Sequence, residues 1–165
     1  MLFRSQIYYG EGHGKSTAAI GNAIRCASEG KSVIIIQFLK GKNENELAFL
    51  NRLEPVIKIF RFAKSDESFE ELSEQEQQEE AMNLRNGFNY GKKVVTTAAC
   101  DMLILDEVLG VIDEKVVAPQ EMQELFENKP DDMTLICTGR VLEDSIRPYA
   151  DEIYNIAPEK IRIDE

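Results

Sequence analysis

YYGEGHGKSTAAIG, residues 8–21, decides how the rest of the chain reads. Gly10, Gly12 and Gly14 alternate with Glu11 and His13 and run straight into Lys15, Ser16 and Thr17. Glycines packed this closely let successive backbone N–H groups converge on an anion, and a helix that follows adds its positive end. A lysine and a hydroxyl residue at that point suit phosphate oxygens and a Mg²⁺ ion. One position departs from the usual G-x-x-x-x-G-K-[ST] pattern: its first glycine falls at Tyr9, an aromatic residue.

Such a loop has meaning only between a strand and a helix, and both neighbours qualify. SQIYY (5–9) reads as the first strand, and Lys15 to Gly30 as a helix that Gly30 terminates. Downstream, SVIIIQFL (32–39), VIKIFRF (56–62), DMLILDEV (101–108), DMTLICTG (132–139) and, more weakly, DEIYNI (151–156) are short apolar runs. Continuous apolar strands of this kind require a sheet covered on both faces. Glu44 to Leu53, Phe69 to about Ala98, and Pro119 to Glu127 are long enough for crossover helices, with Pro119 suited to a first turn. The expectation is one α/β domain over residues 1–165, with a mainly parallel sheet and helices on both faces. Asp66 to Glu80, DESFEELSEQEQQEE, reads as a charged outer face, whereas Ala81, Leu84 and Phe88 have the spacing of a docked helix.

In a parallel sheet the carboxyl ends of the strands form the ligand edge, which singles out residues that end apolar runs. Asp106 and Glu107 close MLILDEV and can hold a metal together with Ser16; helix-capping acids are the alternative. Gln37, an amide inside IIIQFLKG, needs a partner or a ligand. Lys40 and Arg140 follow strand ends, where they serve either as phosphate clamps or as surface charges. Arg25 lies within the first helix, and His13, the single histidine, is placed to bond phosphate rather than to act as a general base.

Composition narrows the class. A chain of 165 residues buries roughly two-thirds of its unfolded surface in one core. A net charge of −11 repels polynucleotide phosphates, so no nucleic acid partner is expected. The opening MLFRSQIYY does not make a secretory segment and no stretch reads as a membrane span. Cys26, Cys100 and Cys137 lie apart in apolar stretches, which suits reduced buried thiols and a cytoplasmic location.

Taken in order and spacing, YYGEGHGKSTAAIGNAIR, IIIQFLKG, LILDEV and LICTGR resemble the P-loop ATP:corrinoid adenosyltransferases, which act on cob(I)alamin or cob(I)yrinic acid a,c-diamide. The loop of that family typically reads G-[ND]-G-K-G-K-T-T-A-A, with no glycine at the usual opening position, so Tyr9 is similar to the family's own build. The resemblance runs from about Ile7 to Ile156. It implies a RecA-like P-loop NTPase fold and attack of corrinoid Co(I) on C5′ of ATP, with loss of triphosphate. Co(I) is itself the nucleophile, so positioning and charge neutralisation carry most of the catalysis. By the same resemblance Gly10 to Thr17 hold the triphosphate, with Lys15, Glu107 and Arg140 as the catalytic set. Ser16 and Glu107 contact Mg²⁺, and Arg25 lies near the nucleotide. The family binds ATP in the reverse sense to ordinary P-loop ATPases, and the resemblance implies the same here. A corrinoid reductase and a homodimer are implied partners.

Three features depart from the family's pattern. His13 stands where the family has a loop lysine, replacing a fixed charge by one that depends on pH. There is no tryptophan, although the family often carries G-F-T-W after the third strand; Phe60, Phe62 and Phe69 are the available substitutes. The family's K-H-P and G-I-E ending is replaced by APEKIRIDE. Two other readings stay open: a small-molecule kinase on a RecA-like core, and a non-catalytic protein that binds ATP or a corrinoid.

Overall fold

Val33–Phe38, VIIIQF, is buried at every position, which a strand achieves only at the centre of a sheet covered on both faces. The computed structural model describes residues 4–39, 44–63 and 67–163. Among these, six strands form one sheet: β1 (Ser5–Tyr9), β2 (Val33–Phe38), β3 (Ile57–Phe62), β4 (Met102–Asp106), β5 (Thr134–Gly139) and β6 (Glu152–Asn155), in the order β3-β2-β4-β5-β1-β6. Every pairing is parallel, so the expectation of a mainly parallel sheet holds throughout. The carboxyl ends of β1, β2, β4 and β5 therefore share one edge.

Alternation along the strands sorts two apolar layers. Ile35, Ile104 and Ile136 pack with Ala19, Ala23 and Cys26 of α1 (Lys15–Ser28). On the opposite face Ile36, Leu105 and Cys137 meet α3 (Glu74–Thr96), α4 (Val108–Asp113) and α5 (Pro119–Asn128). A further helix, α2 (Glu44–Asn51), packs beside β3. Of the docking residues expected in the third helix, Ala81 is half-buried, whereas Leu84 and Phe88 are fully buried. Each of the latter two contributes about 1.5–3 kcal/mol relative to exposure.

Boundaries moved where side chains cap the backbone. The long helix starts at Glu74, not Phe69, because Ser73 Oγ accepts the Glu76 N–H (3.3 Å) and the Glu76 carboxylate accepts the Ser73 N–H (2.9 Å). Phe69–Glu71 forms a separate 3-10 turn before that capping box. The acidic stretch is largely an exposed face, as expected, except that Leu72 and Glu80 are buried; Asp66 and Lys40 lie outside the described residues. The apolar VLGVID after Glu107 is α4 and not a continuation of the strand. A 3-10 segment, Asp144–Tyr149, was likewise not evident in the sequence. The weakly patterned β6 is secured by Asp151, whose carboxylate accepts both the N–H (2.9 Å) and the hydroxyl (3.1 Å) of Ser5.

All three cysteines are free and buried. Burial pushes their thiols up, that of Cys100 to about 12. No described helix is long and apolar enough to cross a membrane.

Two glycines of the helices differ in what surrounds them. A Cβ on Gly87 in α3 would stand 2.7 Å from Phe62 Cγ and 2.9 Å from Phe38 Cε1, whereas Gly21 in α1 faces open space. Gly87→Ala is expected to lose about 1–2 kcal/mol by overpacking, despite alanine's better helix propensity. Gly21→Ala is expected to gain up to about 1 kcal/mol. Urea denaturation of the two variants checks the opposite signs.

Candidate active site

The loop after β1 is shaped by what crosses it. Ile156, just beyond β6, accepts the Gly12 N–H at 2.8 Å, and its own N–H donates to Tyr9 O at 2.7 Å. A Cβ at Gly10 or Gly12 would come within 2.4 or 2.7 Å of the Ile156 carbonyl oxygen, so neither position admits a side chain. The Gly10 N–H is shared between the carbonyls of Gly139 (3.2 Å) and Arg140 (3.1 Å). These two glycines thus fasten the loop. Donors for an anion come instead from the first turn of α1, where Lys15, Ser16 and Thr17 have no intrahelical acceptor. Gly14 caps that turn at φ 104 and contributes no side-chain bond of its own.

Tyr9, where the usual pattern has a glycine, is tied to the 3-10 segment Asp144–Tyr149. The Arg147 guanidinium carbon lies 5.1 Å from its ring centroid and Nη2 donates to its hydroxyl at 3.3 Å. The ring thus anchors the 3-10 segment to the start of the loop. Above it, the Lys15 ammonium donates to the carbonyls of Gly10 (2.7 Å) and Gly12 (2.8 Å), which holds a positive charge at the loop.

At the base of α1 two hydroxyls converge on one carboxylate. Ser16 Oγ donates to Asp106 Oδ1 at 2.8 Å, and Thr138 Oγ1 donates to the same oxygen at 2.7 Å. Thr138 also accepts the Glu107 N–H at 2.9 Å. Asp106 is only 2 % exposed, and Glu107 turns the chain into α4 with φ 67, in the left-handed region. Gln37 is 7 % exposed and sits in register with Asp106 on one side and Arg61 on the other. The structure therefore brings together Lys15, Ser16, Asp106 and the Glu107 backbone, with Gln37 on the adjacent strand.

Other predicted residues lie further out. Glu11 and Arg140 form an exposed ion pair at 3.4 Å, with side chains 68 and 70 % exposed, worth well under about 1 kcal/mol. His13 and Thr17 are exposed on the loop and the first turn. Arg25 is in the last turn of α1, roughly 15 Å along the helix from Lys15 at 1.5 Å per residue, and is not brought to the loop. Beside the loop edge a cavity of about 240 Å³ is lined by Leu39, Ala63, Phe69, Glu80, Glu114 and Arg140. Burial, reinforced by Glu70 and Asp113, pushes the Glu114 carboxyl up. Phe60 and Phe62 instead pack against Tyr90 of α3, the first edge-on and the second tilted, with ring centroids 4.9 and 6.3 Å away. Among the described residues no three His, Cys, Asp or Glu side chains form a metal-holding group.

Thr138 was missed in the sequence. The signal was the one that singled out Gln37, a polar residue in an apolar strand at the ligand edge, but threonine is so common in strands that it passes for a strand former.

A family model described as "ATP:corrinoid adenosyltransferase BtuR/CobO/CobP" matches residues 4–165. The corrinoid adenosyltransferase of Escherichia coli (strain K12) is 28 % identical over 158 residues, which is 96 % of this chain and 78 % of that protein. Corrinoid adenosyltransferase CobA of Salmonella typhimurium (strain LT2) gives the same identity and coverage.

The backbone at Glu107 supplies a test of the site's strain. At φ 67 a residue with a Cβ costs about 1 kcal/mol or more relative to glycine. Glu107→Gly is therefore expected to be more stable than Glu107→Ala by about 1 kcal/mol. Thermal or urea unfolding of the pair checks the order, which is the reverse of that within an ordinary helix.

Proposed function

Because this chain belongs to the ATP:corrinoid adenosyltransferase BtuR/CobO/CobP family, we propose that it transfers the 5′-deoxyadenosyl group of ATP to Co(I) of a reduced corrinoid and releases triphosphate. The observation that carries this reading is the Ser16–Asp106 bond of 2.8 Å at the foot of a glycine loop held by Lys15. That arrangement suits a triphosphate with a divalent ion. In the reaction a Co–C5′ bond forms and the C5′–O bond breaks, with its electron pair leaving on triphosphate. Cobalt supplies both electrons, rising from Co(I) to Co(III), and no proton has to move.

The protein's task is then charge and position. Lys15 would exchange the Gly10 and Gly12 carbonyls for phosphate oxygens, joined by the first-turn N–H groups of α1 and, from the rim, His13 and Arg140. Ser16 and Asp106 offer two hard oxygen donors, with Glu107 next in the chain. A site with so few protein ligands fits Mg²⁺, which keeps waters and phosphate oxygens in its shell. Mg²⁺ bound there would neutralise charge on the triphosphate. The Asp106 carboxylate accepts the Ser16 hydrogen and so leaves the serine's lone pairs directed outward.

For the corrinoid, the cavity lined by Arg140 offers a concave surface at the loop edge, and Phe69 is an aromatic that lines it. Phe60 and Phe62 are engaged with Tyr90, so Phe69 takes the role given in the family to an aromatic after the third strand. A corrinoid reductase would supply Co(I). Three reduced thiols suit a cytoplasmic setting, and the family resemblance favours a homodimer built from single-domain chains.

The protein with Mg-ATP and chemically reduced cobalamin, kept free of oxygen, is expected to give the absorbance change of adenosylcobalamin together with triphosphate. ADP and phosphate instead would identify a kinase. Calorimetric ATP binding with neither product would identify a binding protein. His13→Lys restores a fixed charge beside the phosphates and is expected to tighten ATP binding about fivefold, measured by the same calorimetry.

A further inference from the structure

Thr138 is fully buried near the end of β5 and bonds to the Asp106 carboxylate and to the Glu107 backbone N–H of the candidate site. An N–H can only donate, so the Glu107 N–H occupies a lone pair of Thr138 Oγ1, and the hydroxyl hydrogen is directed to Asp106 Oδ1. The sense of the chain is therefore set: Glu107 backbone to Thr138 to Asp106. Asp106 Oδ1 receives a second hydroxyl, that of Ser16, from α1. Two donors arriving from β5 and α1 set the rotation of the carboxylate. The Thr138 acceptor also holds the peptide that carries Glu107 at φ 67, a conformation a residue with a Cβ does not take unaided.

We propose that Thr138 is a positioning residue: its hydroxyl orients the Asp106 carboxylate and the Glu107 backbone together, and thereby sets the affinity of the site for the divalent ion that accompanies ATP. This rests on the reading of Ser16 and Asp106 as the Mg²⁺ position. Threonine serves because a single hydroxyl both accepts and donates. Groups that orient a metal ligand typically change metal affinity 10–100-fold when removed.

The test is calorimetric ATP binding across a Mg²⁺ series, with wild type beside T138V, T138C and T138S. T138V keeps the shape and removes the hydroxyl. It is expected to raise the half-saturating Mg²⁺ concentration about tenfold and to leave metal-free ATP binding within about twofold. T138S should stay within about twofold of wild type, and T138C, a weaker donor, should fall between them. If T138V does not fold, the order of Thr, Ser and Cys still decides. An effect that follows hydrogen-bonding strength supports the proposal, and one that follows side-chain volume overturns it, as does a T138V curve that overlays wild type. Wild-type ATP binding that ignores Mg²⁺ would overturn the metal reading itself, which separates the two failures.

Discussion

A carboxylate with almost no solvent contact has to be met by donors, and at Asp106 that requirement organises the molecule. Leaving it unmet would cost roughly several kcal/mol. The donors come from Ser16 at the start of α1 and Thr138 at the end of β5. One acid on β4 thereby links a helix of one layer to a neighbouring strand, and the positive end of α1 is directed at the same edge. The Ser16–Asp106 bond ties the first turn of α1, and with it the end of the glycine loop, to β4.

The loop's own shape has a second cause. Ile156 passes so close that glycine is required at 10 and 12, and its carbonyl and N–H bond to the chain on both sides. The edge strand β6, the least conspicuous of the six in sequence, is therefore part of the loop's support. Tyr9 has the complementary role on the other side: with Arg147 over its ring, it joins the 3-10 segment to the loop's first residue. An aromatic where many phosphate loops have glycine is a structural tie here, and the turn is left to Gly10 at φ 123.

Much of this was legible in the residues. IIIQFLKG and MLILDEV can be read as buried parallel strands because apolar runs of that length leave few alternatives, and glycine before lysine and serine marks a loop by its backbone freedom. What stayed hidden depended on contacts between segments far apart in the chain. The start of α3 turned on a reciprocal pair of bonds between Ser73 and Glu76, and α4 on a left-handed Glu107 that no apolar pattern announces. Arg25 shows the converse. A basic residue close in sequence to the loop is carried away from it, because each helical residue adds 1.5 Å of rise.

The sequence by itself determined that the chain is a parallel α/β fold with a lysine- and serine-bearing loop opposite an acidic strand end, since periodicity, glycine spacing and charge placement are local properties. Only the tertiary structure decided which groups meet there. It paired Asp106 with Ser16 and Thr138, placed Gly10 and Gly12 against Ile156, and left Arg140 in an exposed pair with Glu11. The reason is geometric: strand order β3-β2-β4-β5-β1-β6 sets β5 between the loop strand and the acid strand, and adjacency across a sheet is not written in the spacing of residues along the chain.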